Sequence, residues 1–426
     1  MDRLVATDRT VPGRRAARRR LVRRRTATDR SPSTGADRRS DSADVRRFAR
    51  RAVGDDERPI DRGGNVKGRD LSTAGWLGLD IGGANCKLAT DGGESFSFPF
   101  ALWVDPDGLA PRLAEAIGSI DPTGKLGLAI TMTGELADCF RTRAEGVARI
   151  VAAVERIGQG RPTRYWGTDR RFRAADQAIV AWERIAAANW HATATWLANE
   201  LFGAANDDRS PRIGLLIDVG STTTDLIPFD ATGSIAHGAT DRERLATGEL
   251  VYIGMRRTPI AAIVRSLTLR GERIPVAAER FATTLDAHLL LEAIDEDPSD
   301  HETADGRPAL REHAWDRLVR MLGEDRNGVT LVEARELASQ IARRQRTLID
   351  RAIRRAIDRI GRPSIVMTAG EGSRFAAELS SRRVPDAAIL DLADRFDPGI
   401  ARAAPAHAVA RLARASFGSP ARGIDG

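Results

Sequence analysis

Two cysteines, Cys86 and Cys139, are all that the 426 residues contain, and only six histidines accompany them. Two thiols cannot build a disulfide framework, and no Cys/His cluster has the spacing of a zinc site. A reducing, cytoplasmic setting is expected. No apolar run reaches about 18 residues, so no membrane-spanning helix is expected. Lysine is nearly missing: Lys67, Lys87 and Lys125 are the only three. Positive charge is therefore carried by arginine everywhere, and arginine excess reads as a coding bias rather than a local signal. Hydrophobic residues make up 42% and charged residues 29%. That excludes a wholly disordered or collagen-like chain. At roughly 150 residues per domain, the length suggests about two to three domains.

The formal charge of +7 is unevenly placed. Residues 1–70 hold 21 basic and 11 acidic side chains, whereas the remainder holds 45 and 48. The body gives no electrostatic reason to expect nucleic acid. Residues 1–72 read as a disordered, Arg-rich tail, too poor in apolar surface to offset the entropy of ordering. No apolar stretch follows the arginines, so the tail is not a secretory signal, and its acidic residues speak against a transit peptide. A basic arm for nucleic acid or anionic lipid remains one reading. The plainer one is a dispensable tail, or translated sequence upstream of the true start.

The body reads as alternating strands and helices. WLGLD (76–80) is a buried strand running into a glycine pair. Strands follow over 86–90 and 96–100, a helix over 109–120, and a strand over 126–131. Helices are expected over 145–157, 174–188 and 192–202, then a polar linker over 204–212. A second unit begins with IGLLIDV (213–219) and a return strand over 224–229. A strand over 364–369 ends at Gly370-Glu371-Gly372, another covers 387–392, and a helix over 405–413 closes the chain. An insertion at about 245–362 is mostly helical; Ile341, Leu348, Ala352, Ile353, Ala356, Ile357 and Ile360 form one apolar face. The acidic stretch 295–305 reads as a mobile surface loop rather than a metal site. The expected fold is α/β, with domains at 75–205 and 213–415 facing each other across a cleft.

The internal repeat carries the functional reading. Asp80-Ile-Gly-Gly-Ala-Asn-Cys-Lys87 can be laid over Asp218-Val-Gly-Ser-Thr-Thr-Thr-Asp225. A strand ending in Asp-x-Gly lets backbone N–H groups approach an anion, because Gly82, Gly83 and Gly220 lack a Cβ. Asn85, Ser221, Thr222 and Thr223 add polar side chains. Asp80 and Asp218 are placed to hold Mg²⁺ through water, and Lys87 supplies a point charge to a phosphate oxygen. Gly370 and Glu371 lie at a third strand end. Two matched turns point to a diphosphate gripped from both sides.

This pattern resembles the actin, sugar-kinase and Hsp70 superfamily, which implies two ribonuclease H-like domains clamping a phosphate chain. A narrower resemblance rests on GLDIGGANCK (78–87), TMTGELADCF (131–140), NWHATA (189–194), LIDVGSTTTDLIP (216–228), GELVYIGMRRTP (248–259) and DAHLLL (286–291). Together these are similar to a hydantoinase/oxoprolinase-related family linked to tetrahydromethanopterin-dependent one-carbon transfer. Its characterised members are archaeal ether synthases of methanofuran biosynthesis. The resemblance implies a transferase that displaces pyrophosphate from an aminomethylfuran-methyl diphosphate with the phenol of a γ-glutamyl-tyramine-type acceptor. An ATP-dependent small-molecule kinase or a hydantoin/oxoproline-type hydrolase is the alternative.

The phenol, with an ordinary pKa near 10, needs a base or close positioning. Glu135, Asp138 and His191 are the candidates. Each also has a structural reading: Glu135 as a cap on the helix after the TG turn, Asp138 as a surface residue of that helix, His191 as a satisfied interdomain histidine. Arg256 and Arg257 are candidates for gripping a substrate carboxylate, with a solvated pair as the other reading. The expected partners are small molecules, with Mg²⁺ as the only cofactor; the oligomeric state is not legible.

Overall fold

The apolar run 76–81 becomes a fully buried strand, β1 (Trp76–Ile81), in the computed structural model, which describes residues 75–158, 160–203 and 212–418. The Arg-rich tail and nearly all of the polar segment 204–212 lie outside the described residues. β1 pairs antiparallel with β2 (Asn85–Thr90), which pairs with β3 (Ser95–Pro99). After α1 (Leu109–Ile120) the chain returns as β4 (Gly127–Met132), parallel to β1. After α2 (Arg143–Gly158) come β5 (Thr163–Trp166), parallel to β4, and the short β6 (Phe172–Arg173). The sheet order is β3-β2-β1-β4-β5-β6. The helix α3 (Asn189–Phe202) leads out of this half.

The second half repeats the plan. β7 (Gly214–Val219) and β8 (Thr224–Asp230) form a hairpin, flanked by β9 (Gly233–Ser234) and β10 (Leu250–Val251). An insertion then carries the small hairpin β11 (Ser266–Leu269) and β12 (Glu272–Pro275) and short helices. It ends in the 30-residue α4 (Leu331–Ile360), started by a capping box between Thr330 and Glu333. Next come β13 (Ile365–Ala369), α5 (Ser373–Arg383), β14 (Ala388–Asp391) and α6 (Ala404–Phe417). The order β10-β8-β7-β13-β14 matches the first sheet: hairpin first, then parallel strands on the other side of the leading strand. Both sheets lie in one compact unit, and the α/β class expected from the sequence is the class observed.

Side-chain alternation along the leading strands sets the layers. Leu77, Leu79 and Ile81 pack outward under α1 and α2 with Leu113, Ile117, Val147 and Ile150. Trp76 points the other way, into a core with Trp190, Leu197 and Val409 from α3 and α6. In β7, Leu215, Ile217 and Val219 face α4 and the insertion, while Leu216 joins the same central core. Two helices thus fill the space between the sheets. Asp80 shares the parity of Trp76, and Asp218 that of Leu216, so both carboxylates belong to the inner faces. The closing helix α6 packs on β1, although it follows the second sheet in sequence. A Cβ on Gly78 would come within 1.8 Å of the Ala406 carbonyl oxygen, so this contact requires glycine.

Three expectations are corrected. The helix expected over 174–188 is broken into Ala175–Val180 and Trp182–Ile185. The junction is Ala181, at φ −94° and ψ 30°; the second piece ends where the Thr168 N–H takes the Arg184 carbonyl at 2.9 Å and Ala187 turns to a φ of +50°. The segment after the TG turn is a single 3₁₀ turn, Gly134–Leu136, so Asp138 is not on a helix. The acidic stretch 295–305 is pinned rather than loose: Asp300, Glu302 and Asp305 pair with Arg256, Arg257 and Arg317.

Candidate functional site

The two hairpin turns are built alike. Asp80 lies opposite Lys87, and Asp218 opposite Asp225. Each turn is closed by one backbone bond, Gly82 N–H to Asn85 O at 3.0 Å and Gly220 N–H to Thr223 O at 2.9 Å. A Cβ at Gly83 would meet nothing within 4 Å, and one at Gly220 only the Thr223 carbonyl oxygen at 3.6 Å. Internal packing therefore does not demand these glycines. They leave open the space above the turns, where a ligand can approach the backbone. Asn85 is exposed beside the first turn; Ser221, Thr222 and Thr223 are half-buried on the second.

The carboxylates beneath the turns are short of partners. Asp80 is 5% exposed, and its Oδ1 is buried with no hydrogen bond. Burial pushes its carboxyl up, against the pull of Lys87. Asp218 is pushed up to about 6 by burial and by the neighbouring Asp225, again opposed by Lys87. One ammonium thus acts on a carboxylate from each sheet. The Gly370 turn closes over the second: a Cβ there would lie 2.3 Å from Asp218 Oδ1, at a φ of +79°. An orphaned buried carboxylate oxygen, a second carboxylate of raised pKa and open turns fit a cation. Among the described residues no group of three or more His, Cys, Asp and Glu side chains converges. Such a cation would complete its shell with water and ligand oxygens, which is the habit of Mg²⁺.

The TG turn abuts the first hairpin. Thr133 N–H donates to Ile81 O at 2.9 Å, and a Cβ on Gly134 would sit 3.1 Å from Gly82 O. Glu135 follows, 1% exposed. Its Oε1 accepts from Arg143 Nη2 at 2.8 Å, while Oε2 is buried without a partner. Burial pushes this carboxyl up in spite of Arg143. Arg143 also reaches Asp241 of the second half at 3.2 Å. The fully buried Arg244 holds Asp225 at 2.6 Å and stacks 4.1 Å over Trp190. An ionic chain therefore runs from Glu135 to the strand facing Asp218. Sequence reasoning missed Arg143, Asp241 and Arg244, since single arginines carry no signal in so Arg-rich a chain. Asp225 was legible, as the acidic residue where the first hairpin has Lys87.

Residues 127–412 match the hydantoinase/oxoprolinase family, well over half of the chain. The chain belongs to the hydantoinase/oxoprolinase family. A relative from Methanocaldococcus jannaschii is 30% identical over 339 residues, covering 79% of this chain and 96% of its own. It is named as a synthase of a furan-2-ylmethanamine that carries, through a phenoxymethyl ether, a (γ-L-glutamylamino)ethyl group. A Methanococcus vannielii relative with the same name is 30% identical over 200 residues, 46% of this chain and 89% of its own. A polyphosphate/ATP-glucomannokinase from Arthrobacter sp. strain KM is similar in outline, with a TM-score of 0.38, 13% identity, and coverage of 80% of this chain and 98% of that one. The family and the synthase relatives are those the sequence motifs resemble.

The other candidate residues lie as follows. Asp138 is exposed just past the 3₁₀ turn. His191 is buried between Trp166 and Trp190, and its Nδ1 accepts from the Trp166 indole at 3.2 Å. Burial and Arg170 hold it down to about 4, which makes it a weak base. Arg256 is held by Asp300 at 2.7 Å and by Glu371, and Arg257 by Glu302. A substrate carboxylate would have to displace these acids. The loop carrying both arginines is laced to the second turn, Arg256 and Arg257 N–H each donating to Ser221 O at 2.9 Å. Cys86 is buried and pushed up to about 12, as expected of a packing residue.

Proposed function

We propose that this family member is a transferase that forms an aryl ether. A phenolic oxygen attacks the methylene carbon of an aminomethylfuran-methyl diphosphate, the C–O bond to the diphosphate breaks, and pyrophosphate leaves with the bonding pair. The names of both methanogen relatives support the product. The observation that carries the reading is the pair of Asp-x-Gly hairpins, whose carboxylates, Asp80 buried and Asp218 half-buried, share the field of Lys87 beneath open glycine turns.

In this reading, Asp80 and Asp218 are the residues that would hold Mg²⁺, which when bound would supply charge neutralisation to a departing diphosphate. The N–H groups around Gly83 and Gly220 and the hydroxyls of Ser221 and Thr222 bind the phosphate oxygens. Lys87 takes part of the developing charge, the kind of preorganised electrostatic term that dominates such sites. The furan ring oxygen shares positive charge as the methylene carbon is released. Glu135 Oε2 takes the phenolic proton; burial keeps that carboxyl more basic than an ordinary glutamate, and Arg143 fixes its orientation. His191 has no role in this scheme, because its ring is committed to Trp166. Asp138 stays on the surface, and Arg256 and Arg257 organise the second turn. A cytoplasmic setting belongs to the proposal, supported by two free thiols.

The test is incubation with the furanmethyl diphosphate, γ-glutamyltyramine and Mg²⁺, with product mass and pyrophosphate measured. Ether and pyrophosphate in equal amounts without ATP are expected. Turnover that requires ATP, or a phosphorylated or ring-opened product, would replace this reading with the kinase or hydrolase alternative.

A further inference from the structure

Beside the hairpin clamp lies a cavity of about 520 Å³, within the range of small-molecule sites. It adjoins the clamp through shared residues. Met255, on its wall, donates its N–H to Gly220 O at 2.9 Å, and Gly372 donates to Val219 O at 2.9 Å. A molecule reacting at the clamp can therefore extend into it. Met255, Leu291 and Phe375 give the wall an apolar part. The charged part is asymmetric. Glu371 is held by Arg256, Glu378 by Arg346, and Glu292 by Arg311 and Arg335. Arg343 and Arg374 also line the cavity, and among the described residues neither guanidinium has a hydrogen bond or ion pair. Arg374 acts at longer range on Glu378, but neither guanidinium is tied up in an ion pair, so both are open to bidentate recognition of a carboxylate.

Glu292, on the rim, has a φ of +58° because it closes the C-terminus of the helix Thr284–Leu290: its N–H donates to Leu289 O at 3.1 Å and that of Ala293 to His288 O at 2.9 Å. Its carboxylate is tied to Arg311 and Arg335.

We propose that this cavity seats the γ-glutamyl end of the phenolic acceptor, with Arg343 and Arg374 gripping the α-carboxylate. The identity of the acceptor rests on the ether-synthase reading above; the anionic, amphipathic character of the ligand rests on the cavity itself. The aromatic ring and ethyl chain lie against Met255, Leu291 and Phe375, and the phenol reaches back to the clamp. Arg343 and Arg374 are therefore specificity-determining residues, which separate a γ-glutamylated phenol from the bare amine.

The experiment is calorimetric binding of γ-glutamyltyramine, tyramine and ATP to the full chain and to R343Q, R374Q and the double variant. Both arginines are exposed, and neither guanidinium has a hydrogen bond or ion pair among the described residues, so the variants should fold, which thermal unfolding checks. γ-Glutamyltyramine is expected to bind wild type more tightly than tyramine does. The double variant should weaken it about ten- to a hundredfold, the loss of charge-assisted hydrogen bonds, and leave tyramine within about twofold. Equal effects on both amines, or none, would overturn the assignment. So would ATP binding that the variants weaken while γ-glutamyltyramine binds no better than tyramine. Binding requires no turnover: an inactive wild type would sink the ether-synthase reading, and the ligand comparison would still decide this one.

Discussion

Replacing Asp218 with asparagine should make the protein more stable and less active at once. The carboxyl of Asp218 is raised from an ordinary 3.8 to about 6, chiefly by burial and then by Asp225. Keeping it ionised at neutral pH costs about 3 kcal/mol if the whole shift is felt by folding. It is half-buried rather than sealed, so solvent screening brings the expected figure to about 1–2 kcal/mol. The sign follows from linkage. A group whose folded pKa is raised favours the native state only while protonated, so stability is lost as pH rises through about 6. No hydrogen bond to the Asp218 side chain is present among the described residues, so asparagine forfeits none. Without Mg²⁺, D218N should therefore unfold about 1–3 °C above wild type at pH 7.5, and at the same temperature as wild type near pH 4. Adding Mg²⁺ should raise the wild-type midpoint at pH 7.5, far less at pH 5, and not that of D218N. Thermal unfolding at the two ends of the pH range, with and without the ion, checks all of this. A D218N protein less stable than wild type at pH 7.5 without Mg²⁺ would refute the reasoning, because Asp218 would then be serving the fold.

Other outcomes follow from the same geometry. E135Q should lower turnover about 10²–10⁴-fold, the loss of a general base, with diphosphate affinity within a few-fold of wild type; near-normal turnover would remove Glu135 from the chemistry. Arg244→Met should destabilise by about 3 kcal/mol, because it strands Asp225 and removes the stack on Trp190, and the shift in denaturant midpoint reads this directly. Gly78→Val should fail to fold or lose more than about 3 kcal/mol, since a side chain there overlaps the backbone of α6; circular dichroism and expression yield report it.

The phosphate-binding plan was legible because it is written locally. Asp-x-Gly between two short apolar runs spells a strand, a tight turn and a return strand, and both copies form hairpins in the register laid out by the sequence. The apolar face of α4 was legible for the same reason, as a period of 3.6 needs no tertiary partner to be seen. What escaped is what only the fold brings together. Arg256 and Arg257 read as ligands for a substrate, and the acids near residue 300 as a loose loop. In the folded chain they neutralise each other across 44 and 45 residues of sequence. The break in the 174–188 helix, at Ala181, has no proline or glycine to announce it, and the second piece ends on a distant N–H, that of Thr168. Arg343 and Arg374 stood unnoticed among the arginines of an amphipathic face and of a short helix. Only the cavity they share singles them out.

The most direct test of the central claim follows one oxygen atom. The furanmethyl diphosphate is prepared with a heavy-oxygen label in the bridge between carbon and phosphorus, then converted with unlabelled acceptor, Mg²⁺ and no ATP. Ether formation by carbon–oxygen cleavage places all of the label in pyrophosphate and none in the ether. Label retained on the furan carbon, or no conversion until ATP is added, would contradict the claim that this clamp holds a leaving diphosphate.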